Sequence, residues 1–247
     1  MTGPMIPPPA SARQGVPRLR SLALDHWQAS RLSLTALTGQ VGTLTRASTG
    51  TFTDSAGATV TAAHSMPRWE SRAWNGAPDI GLRCGTDDVE WPLTWSLQTL
   101  TLLVEGINLG TAQTSGHGLL YAGLDAGTGN RLVIRGTGTT FAADLVIGGN
   151  TSTATFPAAI ANGDAFQLLL ELEDNGTTQR VRLGGTDNGV SAGFSAFGTA
   201  IARGALPAGS KVRLNRVGSA GAQGAAWFRS RAFYPGLLSL TDALNRL

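Results

Sequence analysis

Cysteine occurs once in this chain, at Cys84, so no disulfide can form within it. Histidine is nearly as scarce. His26, His64 and His117 are isolated from one another, which leaves a thiol without an activating base and offers no metal-ligand spacing for zinc. Cys84 is therefore expected to be a buried core thiol. Lysine is represented by Lys211 alone, and charged residues make up only 14% of the sequence. The net charge of +3 is carried by dispersed arginines, with no basic block to grip a nucleic-acid backbone, so nucleic acid is not an expected partner. No apolar run approaches the roughly 20 residues of a spanning helix. The opening "MTGPMIPPPASARQGVPRLR" places its arginines after its prolines, the wrong order for a secretory signal, so no membrane association is expected.

Glycine, by contrast, is abundant, at 33 of 247 residues, and threonine recurs in alternation with small and apolar residues. That composition suits many short strands joined by tight turns, and the length suits one sandwich with an extension. Residues 1–40 read as a Pro-rich extended arm and connector: Pro4, Pro7, Pro8, Pro9 and Pro17 favour polyproline II. Within the connector, residues 21–40 satisfy a strand alternation and an impure helical stripe equally. Residues 41–247 read as one β-sandwich that includes an N-terminal hairpin segment, 41–72. Strand signals fall at 97–109, 117–124, 130–136 and 139–149. "DAFQLLLELEDNGTTQRVRLGG" predicts a hairpin turning at Asp174, Asn175 and Gly176, followed by strands in "SKVRLNRVG" and "AAWFRSRAFYP". The uninterrupted run Leu168 to Leu170 predicts a central strand covered on both faces. A short closing helix is expected from Ser239 or Thr241, with Leu240, Ala243, Leu244 and Leu247 on one stripe.

The stretch "TRASTGTFTDSAGATVTAAHSMPRW" (45–69) has the composition of a tether but the grammar of a hairpin, with Asp54, Ser55 and Gly57 between Thr-rich flanks and Phe52 and Trp69 as its apolar anchors. Arg46, Ala47, Ser48, Thr49, Phe52, Asp54, Gly57, Ala62, Ala63, Pro67 and Arg68 resemble a segment found in structural proteins of tailed bacteriophages, ahead of a concanavalin A-like (laminin G-like) sandwich. The end of the chain, "AAWFRSRAFYPGLLSLTDALNRL", is similar to the last strand and closing helix of such a domain. The resemblance spans roughly residues 41 to 247. It implies an all-β, concanavalin A-like jelly-roll fold and a non-enzymatic virion protein, made in the host cytoplasm. Such a protein decorates a capsid or forms part of a tail, as a homo-oligomer in contact with major capsid or tail proteins.

Two other functional readings compete. The six tryptophans, Trp27, Trp69, Trp74, Trp91, Trp95 and Trp227, suit a carbohydrate-binding adhesin recognising host surface glycan if they are exposed, and core packing if they are not. "ELED" places Glu171 and Glu173 on one strand face, the pairing that a glycoside hydrolase requires, although the Glu-x-Asp-x-x-Glu pattern of concanavalin A-like enzymes is missing. No catalytic residues are assigned. No cofactor is expected either; calcium is the one ion for which the turns "GTDDVE" (85–90) and "GTDNG" (185–189) offer oxygen ligands, and turn formation is their simpler use. Alternation in three late strands sends Arg180 and Arg182, Lys211 and Arg213, and Arg229 and Arg231 to the outer side. If those strands are adjacent, the six cations form one basic docking face for an acidic partner.

Overall fold

The computed structural model describes residues 23–25, 51–53, 59–62, 68–74, 76–85, 89–93, 95–124, 129–215 and 225–241. At 23–25, 51–53, 59–62, 68, 69, 80, 89, 91, 92 and 230–235 it describes the backbone alone. The expected Pro-rich arm (1–20), most of the connector and the body of the closing helix lie outside these residues. Leu240 and Thr241 are helical, where that helix is expected to begin.

Among the described residues seventeen strands form two antiparallel sheets. They are β1 (Ala23–Asp25), β2 (Thr51–Thr53), β3 (Thr59–Ala62), β4 (Arg68–Trp74), β5 (Ala77–Cys84), β6 (Val89–Pro92), β7 (Leu100–Asn108), β8 (Gly118–Gly123), β9 (Arg131–Gly136), β10 (Phe141–Ile147), β11 (Asn150–Thr155), β12 (Ala165–Asp174), β13 (Thr178–Asp187), β14 (Val190–Phe194), β15 (Ile201–Ala202), β16 (Lys211–Leu214) and β17 (Ala226–Pro235). Sheet A runs β14-β13-β12-β7-β17-β5-β4, with β1 beside β17 and β15 beside β13. Sheet B runs β11-β10-β9-β8-β16-β6-β3-β2. The two pack face to face as a concanavalin A-like jelly-roll sandwich.

Alternation builds the core. Leu100, Leu102 and Val104 of β7, Leu168, Leu170 and Leu172 of β12, and Val181 and Leu183 of β13 point inward from sheet A. They meet Leu132 and Ile134, Phe141, Ala143 and Leu145, and Val212 and Leu214 from sheet B. Phe141 and Phe166 meet edge to face across the gap at 5.3 Å. Cys84 is buried in this core, as the sequence reading expects.

The Thr-rich stretch is folded where it is described. β2 and β3 pair antiparallel with Phe52 opposite Val60, and β3 continues the sheet through β6. In the connector, Ala23–Asp25 adopts the strand alternative and pairs with Arg231–Phe233 of β17. The hairpin at 174–176 is present: Asn175 N–H donates to Thr178 O, and Gly176 takes φ 91°. Between β13 and β14, Asn188 (φ 48°) and Gly189 (φ 78°) supply the two positive φ values of a type I′ turn.

One long side of the sandwich is sealed. Val181 N–H, at the rim of sheet A, donates to Ser152 Oγ of β11 at 3.2 Å, and Leu183 N–H donates to Ser195 Oγ at 3.1 Å. Hydroxyls thus satisfy the rim amides at the point where β14 gives way to β15, so this edge presents little unpaired backbone.

Candidate functional site

The outer face of sheet A is not an ordinary solvent face. Residues that alternate outward from its central strands include Glu105 and Glu171, and both are fully buried. A carboxylate held away from water is stable only when its oxygens are bonded, and here every described neighbour is arranged to do that.

Glu105 is the centre of a polar belt that crosses five strands. Gln167 of β12 donates from Nε2 to Glu105 Oε1 at 2.6 Å, and Gln167 Oε1 accepts from Thr186 Oγ1 of β13 at 2.9 Å. On the other side Arg229 of β17 donates from Nη1 to Glu105 Oε2 at 2.7 Å and from Nε to Asp79 Oδ2 of β5 at 2.8 Å. Arg229 is the extra residue at an irregularity of the β17–β7 register between Phe228 and Ser230, and that bulge aims its guanidinium at two acids at once. The same guanidinium lies 5.2 Å from the Trp74 ring, and Trp74 packs on the fully buried Trp227, whose Nε1–H donates to Glu70 O at 2.8 Å.

A second cluster occupies the β12–β13 end of the same face. Glu171 stands opposite Arg182 and Glu173 opposite Arg180 in the strand register. Each pair closes at 2.5 Å between arginine Nε and carboxylate Oε2. Phe197 is stacked between the two guanidinium groups, 4.4 Å from Arg180 and 4.6 Å from Arg182, and Phe194 covers Arg182 from the other side at 4.3 Å. The backbone N–H of Leu238 donates to Glu171 Oε1 at 3.2 Å. Leu238 itself packs with Leu103 and Leu169, which explains the uninterrupted Leu168 to Leu170 run. Burial pushes the Glu171 carboxyl above its ordinary range, with Arg182 and the Leu238 amide pulling partly against it. Glu171 and Glu173 are therefore each closed by an arginine, and neither is posed as a free acid or nucleophile toward a sugar.

The cations expected on one basic face are dispersed. β13 and β17 are separated by β12 and β7, and β16 belongs to sheet B. Arg180 and Arg182 pair with Glu173 and Glu171, and Arg229 pairs with Asp79 and Glu105. On β16, Lys211 Nζ lies 2.5 Å and Arg213 Nε 2.9 Å from the two oxygens of Glu90 on β6. Arg213, expected to face solvent, is fully buried 5.7 Å from the Tyr121 ring, because Glu90 and Tyr121 flank it in register from both neighbouring strands. Burial opposes ionisation of Glu90, but the bonds from Lys211 and Arg213 outweigh it and hold the carboxyl below its ordinary range. The Arg231 side chain lies outside the described residues; its backbone pairs with Val104 and Asp25. Adjacency fails because strands consecutive along the chain switch between sheets in this topology.

At the turn 185–189 Asn188 and the adjoining Asp164 serve the turn, while Asp187 Oδ1 is buried without a hydrogen-bond partner among the described residues. Asp164 accepts from Ala161 N and from Asn188 Nδ2, and Asn188 Oδ1 accepts from Ala165 N. Burial and the neighbouring Asp164 push Asp187 above its ordinary range. Among the described residues no three His, Cys, Asp or Glu side chains gather as a metal site. Residues 86–88 of the other expected calcium turn lie outside the described set. Of the tryptophans, Trp74 and Trp227 are buried and Trp95 packs on the core, while the side chains of Trp27, Trp69 and Trp91 are outside the described residues.

The sequence reading missed Glu105, Gln167, Thr186, Asp79, Phe194 and Phe197. One signal was present: Glu105 interrupts the apolar run "LTLLVEGIN", and an acid inside a buried strand requires a cation or donors close by.

No family model matches the chain, and no curated protein does. Solved structures do. A botulinum neurotoxin type G receptor-binding domain shares the fold with a TM-score of 0.52 at 8% identity, over 78% of this chain and 47% of that one. A second structure of the type G binding domain gives 0.50 at 8% identity, over 78% and 47%. A structure of botulinum neurotoxin type C, a toxin whose cell entry depends upon interaction with two ganglioside molecules, gives 0.50 at 10% identity, over 77% and 46%. This chain thus spans about half the length of the solved chains it matches, and at such identities the likeness concerns the fold.

Proposed function

We propose that this chain is a non-enzymatic structural protein of a tailed-bacteriophage particle, which decorates the capsid or builds part of the tail through protein–protein contacts. The observation that carries this reading is the state of the outer face of sheet A. Its acids and arginines are bonded to one another under a roof of Leu238, Phe194 and Phe197, so the described ionisable groups of this face serve cohesion and leave no poised acid–base pair on it. The motif at Arg46 to Arg68 supports the particle assignment, and the Pro-rich arm suits docking along a neighbour's surface. Electron microscopy of purified particles with an antibody against this chain tests the reading. Labelling at regular positions on head or tail is expected, and particles free of the chain overturn it.

A second reading, a glycan-binding adhesin, draws on the shared fold and on the ganglioside dependence of the type C toxin. A glycan array probed with the purified chain separates the two: dose-dependent capture by defined glycans supports the adhesin, and a blank array supports the particle component.

A further inference from the structure

The two ends of sheet A differ in kind. At the β14–β15 end the pairing is broken between Gly185 and Thr186, and serine hydroxyls take up rim amides. At the other end β4 pairs with β5 in unbroken register over seven residues, Arg68 to Trp74, and among the described residues no strand pairs with its other edge. β4 contains no proline and shows no bulge, two of the devices that blunt an edge. A long, regular edge strand is a template for another strand, so what matters is which strand its side chains select.

The charges on β4 select itself. Glu70 and Arg72 lie two apart on the face that also carries Trp74, bonded to each other at 2.6 Å and partly exposed, with Arg83 of β5 3.5 Å from the other Glu70 oxygen. In an antiparallel pair of two β4 strands, a two-fold axis at Glu70 opposes glutamate to glutamate. An axis at Arg72 opposes arginine to arginine. An axis at Ser71 opposes Glu70 of each copy to Arg72 of the other, twice. Like charges directly opposite destabilise a sheet and unlike charges stabilise it, which rejects the first two axes; an axis at Trp69 would also oppose Arg68 to Glu70, but only the axis at Ser71, the midpoint of β4, pairs all seven residues of the strand.

We propose that β4 is the dimerisation edge of this protein: two copies join antiparallel about Ser71, extending sheet A across a two-fold axis with reciprocal Glu70–Arg72 pairs. The contact is isologous and closes on itself, so it yields a discrete dimer whatever larger surface the sandwich decorates.

Analytical ultracentrifugation of the full chain at micromolar concentration tests this. The wild type is expected as a dimer, and a monomer overturns the proposal. Glu70→Arg and Arg72→Glu each oppose like charges twice and should each weaken dimerisation on the order of tenfold or more. Mixing the two single variants restores unlike pairs and should restore a heterodimer, as should the double swap Glu70→Arg/Arg72→Glu in one chain. Single variants that dimerise like the wild type overturn the register. Circular dichroism checks that they fold. Should they not, cysteine substitution carries the test, since residues paired at the axis lie about 5 Å apart, within disulfide reach. Ser71→Cys should then crosslink into a covalent dimer on mild oxidation while Ala73→Cys does not. Crosslinking of neither, or of Ala73→Cys alone, refutes the axis at Ser71.

Discussion

Glu105 of β7 and Gln167 of β12 stand directly opposite each other in register, and the 2.6 Å bond between them joins the Arg229 side of the polar belt to the Thr186 side. Belt and bulge together hold β5, β17, β7, β12 and β13 in one register on a face whose described apolar clusters flank the belt.

Removing the centre of that belt should be costly. Glu105→Ala takes the buried acceptor from Arg229 Nη1 and Gln167 Nε2, and a loss of about 3–5 kcal/mol is expected in urea unfolding. A loss within about 0.5 kcal/mol means that the belt is ornamental to stability.

Phe197 should behave as a clamp rather than as core. Phe197→Leu keeps apolar cover but loses the faces that the Arg180 and Arg182 guanidinium groups rest on, so it should cost about 1–2 kcal/mol. The double-mutant cycle with Arg182→Met reads the coupling directly, and additivity of the two substitutions excludes the stack as its source.

Gly185 has no tolerable replacement. It sits at φ 142° where β13 breaks register with β14, and a Cβ there would run into Gln167 O of the adjoining strand. Gly185→Ala should therefore cost several kcal/mol, on the order of 3 or more, measured by thermal unfolding. The same change at exposed Gly149, where nothing adjoins the new Cβ, should cost far less despite its positive φ.

Acidification should act on the two sheets with opposite sign. Lys211 and Arg213 hold the Glu90 carboxyl below its ordinary 4.5, so its stabilisation is complete above that value and is lost as pH falls through the folded value. The stability advantage of wild type over Glu90→Gln should shrink below about pH 4.5. Burial holds Glu171 above 4.5, so the folded state binds its proton more tightly and stability falls as pH rises through that range. Wild type should then lose ground to Glu171→Gln on going from acid to neutral pH. Parallel pH profiles for the two variants refute this assignment of charge.

Much of the sandwich is legible in the sequence because β7 to β10, β12, β13, β16 and β17 carry buried aliphatic residues in runs or alternation. β11 is not, since "NTSTAT" buries only Ser152 and Ala154 and so lacks an apolar signature. The Glu171–Arg182 and Glu173–Arg180 pairs were within reach. Once the turn falls at Asp174 to Gly176, hairpin register alone places each acid opposite its arginine. What local pattern cannot supply is the placement of β16 in the other sheet from β13 and β17, because strand order depends on connections made over long stretches of chain. The cations therefore suggested one face, whereas the five with described side chains form three neutralised clusters.

The position of β17 also dictates when this molecule can be finished. β17 spans Ala226–Pro235 yet lies inside sheet A, between β7 and β5. On the ribosome, β5 and β7 must therefore wait with their facing edges open until residue 235 has been synthesised and has cleared the exit tunnel. Nascent chains halted before residue 226 should remain protease-sensitive and in need of a chaperone, however well the β12–β13 hairpin has already formed, and release of the last strand should convert them to the resistant state in a single step.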